Sequence, residues 1–306
     1  MSTDMQADHG LAPGIYPDIP DEIYHSIDRA SSSKLRKLVA EYTPAHIKQE
    51  TEDQEEEETT EALNFGSALH LALLQPHLVD TAIGPAPINP KTSNPYGRNT
   101  QAWEKETAGD SRILLGPDEV DKLAAMLESV YAKKAARDLL EMVGPRESTL
   151  LWDEPVLVDT TREPEKIMLP CKARPDIWGQ DLGILVDVKT TRDARRRIFN
   201  NDVIGLGYYV QGAFYLRAAE RVCHESQVLV PPDKFVMILV EKAPPYLVAV
   251  RNLFAQPEMM LVANRDLEYP LQQMARAYQS GEWPGYSDEI EDVELPGWKM
   301  REVAYE

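Results

Sequence analysis

Apolar and polar positions along the 306-residue chain follow two periods, and their order sets out the elements. Helical spacing predicts a helix near 32–42, where the ASSS stretch offers serine caps. A second is predicted over 64–76, NFGSALHLALLQP, stopped by Pro76. The segment 117–141 opens on Pro117 with acid in its first turn and keeps the same spacing, so it is also predicted helical. Between these helices, 81–99 is dense in Pro, Asn and Gly and reads as a long irregular segment, functional or mobile. β-rich runs at 148–159, 167–178 and 183–191, separated by turn residues, predict three sequential antiparallel strands. Helical spacing returns at 203–221, strands are predicted at 233–242 and 246–253, and 257–282 ends the pattern as a helix. The order predicts an α/β (α+β) fold with a central mixed β-sheet flanked by helices. Residues 1–27 read as a flexible arm and 28–306 as one domain.

Charge changes the picture next. Thirty-two Lys and Arg against 51 Asp and Glu give a net charge of −19, which argues against a polycation coating nucleic acid. It leaves DNA open as a substrate, because bound cations invert the local field and only the groove must be basic. Much of the acid falls in 51–61 and 287–294, both expected to be solvated loops. No apolar run is long enough to span a bilayer and no signal-peptide layout is present, so a cytoplasmic protein is expected, bacterial or in a phage-infected host. Cys171 and Cys223 are too few for a disulfide framework, a four-Cys zinc site or an iron–sulfur cluster. Their simplest reading is as small buried hydrophobes.

Candidate chemistry gathers in KARPDIWGQDLGILVDVKTT. Alternation along a strand puts Asp187 and Lys189 on one face and Val186 and Val188 on the other. Asp176, ten or so residues earlier and across the GQDLG turn, is expected beside Asp187 at the sheet edge. Converging carboxylates suit Mg²⁺, a hard cation that also bridges to phosphates, and Lys189 would orient the attacking water and stabilise developing charge. A surface ion pair is the plainer explanation of DxK alone, but apolar flanks make these charges expensive unless they serve a site. Glu147 could add a third carboxylate, or be a solvated strand end. His70 shares a helix face with Gly66, and Gln211 with Tyr215, four residues apart in each case; alone, His70 and Tyr215 would be core residues.

Taken in order, Gly66 to His70, a Glu, Pro175-Asp176, Asp187 to Lys189 and Gln211 to Tyr215 resemble the RecB-like branch of the PD-(D/E)xK nucleases. More narrowly, stretches from about residue 28 to 298, among them NFGSALHLALLQP, KARPDIW, LVDVKTT and YYVQGAFY, are similar to the C-terminal nuclease domain of the RecE (exodeoxyribonuclease VIII) family. The resemblance implies a restriction-endonuclease-like core and a Mg²⁺-dependent exonuclease, with Mn²⁺ as substitute, acting 5′→3′ on ends of double-stranded DNA. It further implies a homo-oligomeric ring, a tetramer or trimer, and a single-strand annealing partner of the RecT kind. By the same resemblance His70, Glu147, Asp176 and Asp187 match metal positions, Lys189 the catalytic lysine, and Gln211 and Tyr215 a supporting motif. Ser31 and Ser33 match a segment that helps hold the 5′ phosphate, although they also read as ordinary N-caps. Lys91, Arg98, Arg192, Arg195, Arg196 and Arg197 could contact the DNA backbone or lie in solvated loops. Two rivals remain: a RecB-like endonuclease of the CRISPR-adaptation type, disfavoured by the missing cysteines, and a non-catalytic binding protein on the same fold.

Overall fold

The computed structural model describes residues 10–52, 61–159, 163–226, 231–295 and 299–300. The chain runs β1 (Gly14–Tyr16), α1 (Asp21–Ser26), α2 (Ser32–Val39), α3 (Pro44–Glu52), α4 (Glu61–Leu74), α5 (Val79–Ala82), β2 (Ile83–Pro85), α6 (Gln101–Thr107), β3 (Ile113–Leu115), α7 (Pro117–Ala132) and α8 (Lys134–Leu140). There follow β4 (Thr149–Val158), β5 (Glu165–Ala173), β6 (Ile177–Gly179), β7 (Ile184–Thr191), α9 (Arg196–Gly205), α10 (Tyr208–Ser226), β8 (Lys234–Glu241), β9 (Val248–Asn252) and α11 (Pro257–Ser280).

The predicted fold class holds, but the strands divide between sheets. β4 and β5 form a long antiparallel hairpin with β1 on its outer edge, whereas β6, β7, β8 and β9 form a second, mixed sheet in that order. The predicted three-strand meander is therefore four strands, broken where Pro175 follows β5 and the chain leaves one sheet for the other. β7 and β8 pair in parallel, as they must when two helices, α9 and α10, lie between them. A small parallel pair, β2 with β3, stands apart.

Alternation along β7 decides which side each residue serves. Leu185 joins a core with Phe235, Met237, Trp152, Leu169 and the inner faces of α2, α10 and α11. Val186 and Val188 point into a second core with Ile238 and Val240, closed by α4, α7 and α8. Both tryptophans of the strands, Trp152 and Trp178, are fully buried, as are the two cysteines, which are not joined by a disulfide.

Several expectations need correction. The predicted arm, described from residue 10, carries β1 against β4 and the helix α1, because β4 offers an unpaired edge to Gly14–Tyr16. The helix expected over 117–141 breaks at Lys133, whose extended backbone separates α7 from α8. The helix expected over 203–221 is two, turned at Gly207 with φ +67, a value glycine adopts without strain. Of the acidic run at 51–61, residues through 52 are helical and 53–60 lie outside the described residues; 287–294 is exposed and without regular structure, as expected. Among the described residues no helix is long and apolar enough to cross a membrane.

Candidate active site

The site forms where β7 outruns its neighbour. β7 is interior rather than at the expected edge, yet β6 has only three residues and pairs Ile177 with Val186 as its last rung on that side. Extending this register by one pair sets Asp176 opposite Asp187, and the Val188 amide donates to Asp176 Oδ2 at 2.5 Å. Beyond that point β7 faces a cavity of about 620 Å³ lined by His70, Glu147, Asp176 and Lys189. The GQDLG turn makes this return possible, with Gly183 in the left-handed region at φ 62.

Glu147 reaches the cavity from just ahead of β4, with its backbone in the left-handed region at φ 50. Its amide donates to the Asp176 carbonyl at 3.1 Å, and Arg146 bridges to Ile177, so the two acids are tied by main chain. Just upstream, Gly144 allows the closest approach: a Cβ there would stand 2.0 Å from the Trp178 carbonyl oxygen. His70 projects from α4, with Nδ1 3.7 Å from Asp176 Oδ2, and Gly66 one turn earlier opens the wall beside it. One ligand atom each from His70, Glu147 and Asp176 lie within 4.8 Å of one another.

Asp187 is 1% exposed, and its Oδ1 accepts from Lys189 Nζ at 2.9 Å and from Gln211 Nε2 at 2.8 Å. Its Oδ2 is buried with no hydrogen-bond partner among the described residues. His70, Glu147 and Asp176 offer the donor chemistry a hard divalent cation takes and so fit a metal; Asp187 stands outside that group of three and outside the cavity lining, its unpartnered oxygen on the β7 residue opposite Asp176. Burial pushes the Glu147 carboxyl up to about 9, helped by Asp176 and Asp21, and pushes Asp176 up to about 6 against the attraction of His70. Burial alone would lower the Lys189 ammonium, but Asp187 and Asp176 outweigh it and hold it above its ordinary value. Clustered acids that resist ionisation without a cation are ready to lose protons to one.

Gln211 and Tyr215 come from one face of α10. Burial, then Asp187, raises the Tyr215 phenol, whose hydroxyl lies beside Ser32. Tyr215 also lines a second cavity of about 620 Å³, with Ser31, Ser32, Ser33, Lys34 and Lys172. Ser31 holds the N-cap position of α2, but its hydroxyl makes no cap hydrogen bond and instead meets Ser33 Oγ at 2.9 Å. The ordinary capping role is thus not the one Ser31 plays.

The expected basic contacts divide. Arg98 is taken by the Leu114 carbonyl and by Glu119 at 2.8–3.1 Å and stacks on Trp103, so it braces the 81–119 region rather than offering its charge to a backbone. Arg195 is paired with Asp193. Arg192, Arg196 and Arg197 are exposed, the last two on the first turn of α9, and Lys91 is exposed far along the chain from the acids.

Sequence reasoning missed Lys172, Arg174, Asp21 and Tyr24, all of which line one cavity or the other. A signal was present: Lys172, Arg174 and Asp176 alternate, as residues on one strand face do.

Comparison with known proteins agrees with this fold. The profile of a family described as "PDDEXK-like domain of unknown function (DUF3799)" matches residues 31–296. No curated protein matches the sequence. A crystal structure named "Putative exonuclease", from Eubacterium rectale, superposes with a TM-score of 0.57 at 12% identity, covering 92% of this chain and 98% of that one. At that identity the likeness is one of fold.

Proposed function

The chain belongs to the family of PDDEXK-like domains of unknown function (DUF3799), and we propose that it is a Mg²⁺-dependent exodeoxyribonuclease of the RecE type. It hydrolyses phosphodiester bonds of linear double-stranded DNA from the 5′ end, leaving 3′ single-stranded tails for recombination by annealing. The observation that carries this reading is the convergence of His70, Glu147 and Asp176 within 4.8 Å beside the buried Asp187–Lys189 pair. The name of the Eubacterium rectale protein points the same way.

In this reading His70, Glu147, Asp176 and Asp187 hold the cation, which supplies Lewis-acid stabilisation of the phosphate and a more acidic water. Lys189, steadied by Asp187, presents its ammonium to the cavity, where it orients the attacking water and neutralises charge gathering on phosphate oxygens. Gln211 fixes the Asp187 carboxylate by donating to Oδ1, so it acts by positioning. Ser31 and Ser33, at the N-terminus of α2 with Lys34 beside them, receive the terminal phosphate in the adjoining cavity. Arg192, Arg196 and Arg197 meet the duplex backbone. On the same reading the subunits assemble into a homo-oligomeric ring of four or three, and the tails pass to a RecT-like annealing protein.

The test is strand-resolved digestion of end-labelled linear duplex, with closed circles as control, in Mg²⁺ and in EDTA. Wild type should shorten the 5′-ended strand of the linear substrate only, and Asp187→Ala, though folded, should not. Full digestion by that variant refutes the site assignment, and equal cutting of circles identifies an endonuclease.

A further inference from the structure

The two cavities are not separate. Both are lined by Tyr24, His25 and Tyr215, so they are chambers of one cleft that meet at α1. The chamber of Ser31–Ser33 is the more enclosed, and the metal-ligand chamber is the more open. Asp21 and residues 24–28, ahead of the region the family profile matches, therefore supply part of the wall around the junction.

That wall is fixed to the strand that leads to Asp176. Lys172, 5% exposed, donates from Nζ to the carbonyls of Tyr24 at 2.6 Å, Ile27 at 2.7 Å and His25 at 3.3 Å. Arg174, also buried, donates to the Ile19 carbonyl at 2.8 Å and to the Asp21 carboxylate. The Tyr24 ring lies against both cations, 4.7 Å from Lys172 Nζ and 4.2 Å from the Arg174 guanidinium. Charged donors spent on main-chain carbonyls within and flanking a six-residue helix that buries none of its own residues hold it where packing would not. Lys172 stands on the serine side of the ring and Arg174 on the metal side, with Tyr24 between.

We propose that α1, clipped to the end of β5 by Lys172 and Arg174, is an end-stop, with Tyr24 and His25 narrowing the junction between the metal chamber and the enclosed serine chamber so that a strand enters only by a free end. This rests on the nuclease reading for the identity of the ligand as a DNA strand. A terminus fits the enclosed serine chamber while the phosphodiester behind it reaches Lys189; an uninterrupted strand would have to double back past Tyr24 to leave that chamber.

The test compares a 5′-phosphorylated single-stranded oligonucleotide with the same oligonucleotide ligated into a circle, read first as binding with Ca²⁺ in place of Mg²⁺ and then as cleavage in Mg²⁺. Wild type should bind the linear strand at least about tenfold more tightly than the circle, a discrimination built by obstruction rather than attraction. Tyr24→Ala/His25→Ala should bring the two affinities to within about twofold and begin to cut the circle, while Tyr24→Phe, which keeps the wall, should behave as wild type. Because α1 buries none of its side chains, a cooperative melt is expected of the double variant, and Tyr24→Ala alone repeats the test if it melts early. Equal binding of both strands by wild type, or an unchanged ratio in the alanine variants, overturns the end-stop. A wild type that prefers the linear strand yet cuts nothing in Mg²⁺ refutes the nuclease reading and supports the end-stop.

Discussion

Asp187 Oδ2 shows what the site costs without a cation. A buried acceptor with no donor is unfavourable by about 1–3 kcal/mol, and this one is buried on a carboxylate already shared by Lys189 and Gln211. Asp187→Asn should therefore leave the metal-free protein at least as stable as wild type in a thermal melt, while abolishing the rise in Tm that Mg²⁺ is expected to give wild type. Gln211→Ala should weaken Mg²⁺ affinity by about 10–100-fold with the fold intact, the usual effect of losing a residue that orients a metal ligand. Protons give a second handle. Asp176 and Glu147 are raised in the fold to about 6 and about 9, so the metal-free protein binds more protons folded than unfolded. Stability from these two groups is complete below the ordinary carboxylate range and is lost as pH rises through about 6 and then about 9. Melting in EDTA should fall from pH 5 to pH 9, and the Tm gained on adding Mg²⁺ should grow over the same range, by about 2–4 °C for each kcal/mol recovered. A Mg²⁺ shift that is flat with pH would mean these carboxylates are not the ligands.

At the scale of elements, the cluster depends on a main-chain strut more than on any helix. Residues 144–147 pass so close to β6 that Gly144 cannot carry a side chain without meeting the Trp178 carbonyl. Gly144→Ala should cost about 1–3 kcal/mol by urea unfolding and, through the displacement of Glu147, reduce Mg²⁺ binding more than a remote mutation of equal cost would. This strut was not legible in the sequence, where Glu147 read as a strand opening, because nothing local distinguishes a residue held by β6 from one beginning β4. What the sequence did expose is what short-range periodicity encodes: α2, α4, α7 and α11, the strands β4, β5, β7, β8 and β9, and the one-faced Asp187–Lys189 pair. Placing Asp176 opposite Asp187 also succeeded, since a hairpin turn fixes register locally. The clipping of α1 by Lys172 and Arg174 joins residues some 150 positions apart, and although their alternation marks a strand face, periodicity does not say what that face meets; nor does it say where the chain leaves one sheet for the other. Solvated-loop readings failed at Arg98 for a related reason: its partner Glu119 lies on a helix 21 residues away.

At the scale of the whole molecule, a net charge of −19 stands against the polyanionic substrate that we propose. Long-range attraction cannot recruit DNA to such a surface, so on the proposed reading association would rest on short-range cations: a bound metal, Lys189, and the exposed Arg192, Arg196 and Arg197 next to the β7 strand end. The screening length at physiological salt is about 8 Å, which hides the distant acids from the cleft while leaving these contacts intact. Each arginine that neutralises a phosphate adds about 0.9 to the slope of log affinity against log salt on duplex DNA. Arg196→Ala/Arg197→Ala should therefore lower that slope by roughly 2 and weaken binding to every duplex sequence alike. Because neither residue lines the metal-ligand cavity, kcat at saturating DNA should hold while KM rises. If the double variant instead lost kcat with the salt slope unchanged, α9 would be supporting the site through packing, and the duplex would have to approach from another face.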